Sequence, residues 1–387
     1  MIISSVKLKN WRNFVDAEAP LGNVTYIVGA NASGKSNLLD VFRFLRDVVK
    51  PDGGGLQKAL ADRGGISKVR CLHARRDPEV RIEIEFSEDS ESETPSWRYS
   101  LAFKSEGKGR QRPVVSKETV IEFVEGGKEK VVLQRPDDKD KEDPERLTQT
   151  AIEQIQGNAD FRALAEHLAA TTYLHLVPQL IKFGDRIGGH RLESDPFGQS
   201  FLEAIAKTPE KTRASRLNRI KVALKKVVPH FEELRFEADD AGRPHLEARY
   251  EHYRPNAGWQ KEEQFSDGTL RLIALFWLLL SGNSLLLLEE PELSLNEEIV
   301  RKIPKLIDDV ERKKKKSRRQ IIISTHSEAL LEDKSIDARY VLRLKVDKEA
   351  TRIIPPSPED NKLIANGWSP AEVILKQCND KQSALDL

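Results

Sequence analysis

Gly29-Ala30-Asn31-Ala32-Ser33-Gly34-Lys35-Ser36 sets two glycines, four residues between them, directly ahead of a lysine and a hydroxyl. Glycine at positions 29 and 34 lets the backbone curl until successive N–H groups point inward, which is how a loop cradles an anion. Lys35 then supplies a flexible point charge for β and γ phosphates, and the Ser36 hydroxyl can coordinate Mg2+. The G-x-x-x-x-G-K-[ST] pattern is met at every fixed position. We assign nucleotide binding to Gly29, Asn31, Ala32, Ser33, Gly34, Lys35 and Ser36, with Asn37 following.

Two later clusters offer acids and a histidine. Leu285 to Leu288 is an apolar run that ends in Glu289-Glu290-Pro291-Glu292. Such a run reads as a buried strand, and in a parallel sheet the strand C-termini line the ligand crevice. Glu289 is expected to hold Mg2+ with Ser36, through the ion's waters. Glu290 is expected to accept a proton from the attacking water. Ile321-Ile322-Ile323 ends in Ser324-Thr325-His326-Ser327, where His326 would sense the γ phosphate or orient the water. The expected catalytic residues are Lys35, Glu290 and His326. A solvated acidic loop and a structural histidine are the plainer alternatives.

The surrounding pattern must position these groups. Val24 to Val28 is a β-branched run stopped by Gly29, and Leu38, Val41, Phe42, Leu45, Val48 and Val49 recur at helical spacing after it. Residues 65–135 look β-rich, with Val80–Phe86 alternating and Trp97–Phe103 and Val120–Val124 as pairing candidates. The charged stretch Asp137–Arg146 reads as an exposed loop, and residues 148–235 read as helical with no lasting heptad. From about 264, helix and buried strand alternate, with Pro304 either kinking a helix through Ile299–Val310 or marking its start. Alternation of this kind argues for a parallel sheet covered on both faces.

Composition narrows the class. The 387 residues carry 63 Lys and Arg against 62 Asp and Glu, a formal charge of +1, which excludes a uniformly basic coat protein but leaves room for local basic patches. Cys71 and Cys378 are the only cysteines, so a disulfide scaffold is excluded and a cytoplasmic location is expected. Cys71-Leu72-His73 offers two zinc ligands with no matching pair. Leu272 to Leu288 is uncharged and nearly long enough to cross a bilayer, but Ser281-Gly282-Asn283-Ser284 splits it as a soluble turn would. No membrane partner is expected.

The combination resembles ABC-type P-loop ATPases of the SMC, RecF and OLD group. The phosphate loop matches Walker A near the N-terminus, Leu285–Glu290 matches Walker B, and Phe265-Ser266-Asp267-Gly268-Thr269-Leu270-Arg271 stands where the signature precedes it. "SDGTLR", "LLLLEEPELSL", "STHS" and the opening Leu8–Phe14 are similar to prokaryotic AAA-type ATP-binding proteins of the AbiEii or OLD kind. The resemblance implies an ABC/SMC-like α/β head, mostly parallel with helices on both faces, bearing an antiparallel β lobe and a helical insertion. It implies ATP and Mg2+ as cofactors. Ser266, Asp267 and Gly268 would contact the γ phosphate bound to a second subunit of a head-to-tail homodimer, and Glu292 and Ser294 would fall in the D-loop at that interface. Arg12 would lie near the phosphates, and Gln179, if it is the Q-loop residue rather than an ordinary loop residue, would join Ser36 and Glu289 at the metal.

The expected organisation is 1–150 for the first half of the head with its β lobe, 151–260 for the helical insertion, 261–345 for the second half of the head, and 346–387 for a tail. Three functions follow. The first is a Mg2+-dependent ATPase switch controlling a separate effector, a nuclease or toxin, in anti-phage defence or DNA maintenance, because the residues after His326 are too few for the usual nuclease fold. The second is a RecF-like DNA-binding repair protein, using Arg312-Lys313-Lys314-Lys315-Lys316-Ser317-Arg318-Arg319 with Arg70, Arg75 and Arg76. The third is a slowly hydrolysing assembly scaffold.

Overall fold

The computed structural model describes residues 1–74, 77–92, 94–107, 110–124, 126–183, 197–251, 258–312, 314, 318–347 and 350–375. Arg75, Arg76, Lys313, Lys315, Lys316, Ser317 and Cys378 lie outside the described residues.

In chain order, β1 (Ile2–Trp11) and β2 (Phe14–Pro20) form a hairpin, and β3 (Val24–Val28) leads through the glycine loop into α1 (Lys35–Val49). Short helices α2 (Leu56–Ala61) and α3 (Ile66–Val69) follow, then β4 (Val80–Ser87), β5 (Trp97–Gly107), β6 (Arg110–Val124) and β7 (Lys128–Arg135). These strands make one antiparallel sheet in the order β2-β1-β4-β5-β6-β7. The Val80–Phe86 alternation puts Val80, Ile82, Ile84 and Phe86 on its buried face.

The charged stretch 137–146 is mostly exposed, as expected, but it is helical rather than a loop and buries Asp140. It folds as α4 (Asp138–Glu142) and a 3-10 turn, with Asp137 and Asp140 capping α4 reciprocally. Asp140 and Arg135 are buried, and Arg135 donates to both Asp140 oxygens at 2.9 Å. Within a solvated charge run, Asp140 alone turns inward, because Arg135 five residues earlier neutralises it there.

The middle is also less helical than its composition indicates. After α5 (Arg162–Ala169), β8 (Thr172–Leu174) joins the edge of the parallel sheet. Helices α6 (Pro178–Lys182), α7 (Phe201–Ala206) and α8 (Glu210–Leu224) precede β9 (Phe231–Ala238), β10 (Pro244–Tyr250) and β11 (Gln260–Lys261), a small antiparallel sheet.

The remaining chain completes a second six-stranded sheet. α9 (Asp267–Leu280) turns at Ser281 into β12 (Leu286–Glu289); α10 (Glu297–Val300) and α11 (Ile303–Arg312) lead to β13 (Ile321–Thr325). Pro304 sits in the first turn of α11, where its missing N–H costs nothing, so it marks a start. α12 (Glu328–Leu331), β14 (Val341–Val346), β15 (Thr351–Ile354) and α13 (Pro358–Ala365) follow, and a π-helical turn at Ala371–Leu375 closes the described chain. The order is β15-β14-β3-β13-β12-β8, parallel except at β15. Successive side chains on a strand face opposite ways, and both faces are covered. Leu285, Leu287 and Ile322 pack with α1 and the β lobe, while Leu286, Leu288, Ile321 and Ile323 pack with α8, α9 and α11. Among the described residues no helix is long and apolar enough to cross a membrane.

Candidate nucleotide site

Three parallel strands end side by side. Glu289 on β12 is in register with Ser324 on β13, and Ser324 with Ile27 on β3. The loop after β3, the acids from Glu289 at the end of β12 and the Thr325-His326 pair at the end of β13 therefore open at one end of the sheet.

The loop is shaped by close approach. Gly34 has φ +100°, and a Cβ there would stand 2.1 Å from Asn13 Nδ2. Ala32 also takes the left-handed region. Asn13 Nδ2 donates to the Ser33 carbonyl (3.2 Å) and to Thr351 Oγ1 (2.7 Å), and the Thr351 hydroxyl donates to the same carbonyl (3.0 Å). Asn37 Nδ2 donates to Asn13 Oδ1 at 2.8 Å. Asn31, Ala32 and Ser36 are exposed, while Ser33 and Lys35 are buried. Lys35 Nζ donates back to the Gly29 and Ala30 carbonyls at 2.9 and 3.2 Å.

Glu289 is bracketed by hydroxyls: Ser36 donates to Oε1 and Tyr173, on the neighbouring β8, to Oε2. Burial, then the hydrogen bond to Glu289 and that carboxylate's charge, pushes the Tyr173 phenol above its ordinary pKa, so it remains a donor. Glu290, at φ +45°, places Oε1 3.1 Å from His326 Nδ1 and 3.9 Å from Lys35 Nζ. A left-handed glutamate is unfavourable, and such strain gathers at working sites. Glu292 is buried; its Oε1 accepts from Thr325 Oγ1 (2.6 Å) and the His326 amide (3.2 Å). Burial raises the Glu292 pKa, with those hydrogen bonds opposing.

Hard oxygen donors beside a phosphate-sized cradle suit Mg2+, which takes one or two protein oxygens and keeps waters and phosphates for the rest. Ser36 and Glu289 are the residues that would hold it. Among the described residues no group of three or more His, Cys, Asp or Glu side chains is arranged to hold a metal ion, and Cys71 is a buried free thiol.

Two expected ligands are engaged elsewhere. Arg12 Nε and Nη2 donate to Asp40 Oδ2 on α1 at 3.1 and 2.6 Å. Burial alone would raise the Asp40 pKa, but Arg63 and then Arg12 hold it below its ordinary value. Gln179 Nε2 donates to Asp267 Oδ2 (2.9 Å) rather than to Ser36 or Glu289. In the signature, Ser266 caps α9 by accepting from the Thr269 amide (3.1 Å), and a Cβ on Gly268 would meet the Ser294 carbonyl at 2.8 Å. The basic run is partly structural. Arg312 pairs with Asp308, Lys314 lies 2.8 Å from Glu311, and Arg319 is buried with Nε on the Ser284 carbonyl (2.6 Å).

Tyr173, Asn13 and Thr351 escape a reading of the sequence. Asn13 falls in the quoted opening motif and Tyr173 in a short strand, but neither residue type signals its partner.

The family described as "AAA domain, putative AbiEii toxin, Type IV TA system" matches residues 24–332. Among solved structures the chain is similar to the SmcHead bound to the C-winged helix domain of ScpA, at 16% identity and TM-score 0.56, covering 93% of this chain and 99% of that one. It is also similar to the Smc head domain with an extended coiled coil derived from Pyrococcus furiosus, bound to the C-terminal domain of ScpA. There the identity is 15% and the TM-score 0.52, over 94% of this chain and 98% of the other. At such identity the likeness carries the fold alone, that of an SMC head domain. No curated protein matches the chain.

Proposed function

The chain belongs to the AbiEii-type AAA-domain family, and from that premise we propose that it is a Mg2+-dependent ATPase whose nucleotide cycle acts as a switch. The observation that carries this reading is Glu290, set between Lys35 and His326 at 3.9 and 3.1 Å. A carboxylate beside the phosphate-binding lysine can take the proton of an attacking water, and His326 can orient that water or register the γ phosphate. Lys35 and the amides of the Gly29–Ser36 loop would stabilise charge on the transferring phosphoryl group. Mg2+, held at Ser36 and Glu289, would neutralise phosphate charge.

Ser266 and Gly268 lie at the N-terminal end of α9, where a backbone amide and a hydroxyl can meet phosphate without adding charge. Their role in the proposal is to contact ATP held by a second copy, giving a head-to-tail dimer. The output is control of a separate effector, a nuclease or toxin, in anti-phage defence or DNA maintenance. The family description, which names a toxin system, supports that direction. So does an SMC head bound to a ScpA domain, which is a head of this fold engaging another protein.

DNA binding through the basic run is a weaker reading, because Arg319 and Lys314 already serve the fold. The test of the main reading is ATP hydrolysis in Mg2+ by the full chain: wild type turns over and Lys35→Ala does not. Equal activity in both, or none in wild type, overturns it.

A further inference from the structure

We propose that Lys182 makes the signature face acceptable to the phosphates of a second copy by cancelling the charge of Asp267. The inference rests on the reading that Ser266 and Gly268 contact nucleotide held by that copy. Asp267 stands between those two residues as the first residue of α9, with its side chain 32% exposed. An acid there is favourable for the isolated helix, because it complements the positive end of the dipole. For an incoming triphosphate it is the wrong charge, since it offsets the very potential that attracts the anion.

The fold answers this with α6. Lys182 Nζ lies 2.7 Å from Asp267 Oδ1, and Gln179 Nε2 donates to Oδ2 at 2.9 Å. Both carboxylate oxygens are thus engaged from one short helix. Pro178 fixes the first turn of α6, and Ile181 is buried beside it. Lys182 is only 13% exposed, so water screens the pair less than it screens an ordinary surface ion pair. Like-charge juxtaposition across an interface is among the stronger penalties available to a protein surface.

The experiment measures ATP-driven dimerisation of the full chain in a Glu290→Gln background, by sedimentation in Mg2+ and ATP across salt concentrations. Lys182→Gln, which keeps an aliphatic stem, should raise the dimer dissociation constant about tenfold or more, and most at low salt. Lys182→Arg should dimerise like the parent. Adding Asp267→Asn to Lys182→Gln should recover most of the loss, which a merely structural clamp would not allow. ATP affinity of the monomer should not change in Lys182→Gln, confirming an intact fold. The inference is overturned if Lys182→Gln dimerises like the parent, or if the double variant is no better than Lys182→Gln. If the parent itself does not dimerise with ATP, the two-copy reading fails and takes this inference with it.

Discussion

The Ser36 hydroxyl donates a hydrogen bond to the Glu289 carboxylate, joining residues 253 positions apart. The contact exists because β3 and β12 flank β13 in one parallel sheet, so the loop after one and the acids at the end of the other share one end of the sheet. It brings together a phosphate-loop hydroxyl and an acidic strand end, the two oxygen donors that the proposed function assigns to Mg2+.

Tyr173 holds the other oxygen of the same carboxylate. With the hydroxyl removed, Glu289 loses one hydrogen bond to a charged group, a contribution of about 1.5–3 kcal/mol. Tyr173→Phe should raise the Mg2+ concentration needed for half-maximal ATP binding by roughly tenfold. Affinity for nucleotide without Mg2+ should not move. A Mg2+ titration of ATP binding by calorimetry decides it, and an unchanged midpoint would remove Tyr173 from the account.

Asp40 gathers Arg12 and Arg63 in a pocket where the Asp40 and Arg63 side chains are nearly buried. Taking away the acid leaves Arg12 without its carboxylate and the nearly buried Arg63 with only Asp47 and the Ala59 carbonyl. Asp40→Ala should lower unfolding free energy by about 3–5 kcal/mol, as breaking buried pairs does. Arg12→Ala should cost clearly less, because Arg63 still pairs with Asp40. Urea denaturation of both variants checks the order.

His167, against the edge of Phe86, is kept neutral: burial, with the N-terminal ammonium second, pushes its pKa down to about 4 from 6.5. The unfolded chain binds the proton first on acidification, so this group's contribution is complete above pH 6.5 and is lost as pH falls toward 4. The loss amounts to about 3 kcal/mol. His167→Leu should flatten stability against pH over that interval. Parallel slopes in the two proteins would contradict the assignment.

Local signals were readable in the sequence and tertiary ones were not. Gly29–Ser36 and Leu285–Glu290 are contiguous patterns whose residue types dictate their own geometry. Asn13 and Thr351, 338 residues apart, brace the phosphate loop as a pair that neither residue announces. Arg12 and Gln179 illustrate the same limit from the other side: their side chains hydrogen-bond Asp40 and Asp267, partners that neither residue announces. Arg319 looks like part of a solvated basic run until the Ser284 carbonyl takes it inward, and Asp140 disappears into the fold with Arg135. Charge density in a sequence reports composition; whether a charge faces water depends on partners supplied by distant segments.

The most direct measurement is single-turnover ATP hydrolysis by the Glu290→Gln variant, alongside its ATP affinity. Removing a positioned general base should slow hydrolysis by about 100- to 10,000-fold. ATP affinity should stay within a few-fold of wild type, since Lys35, Ser36 and Glu289 are untouched. Hydrolysis at the wild-type rate in Glu290→Gln would contradict the account.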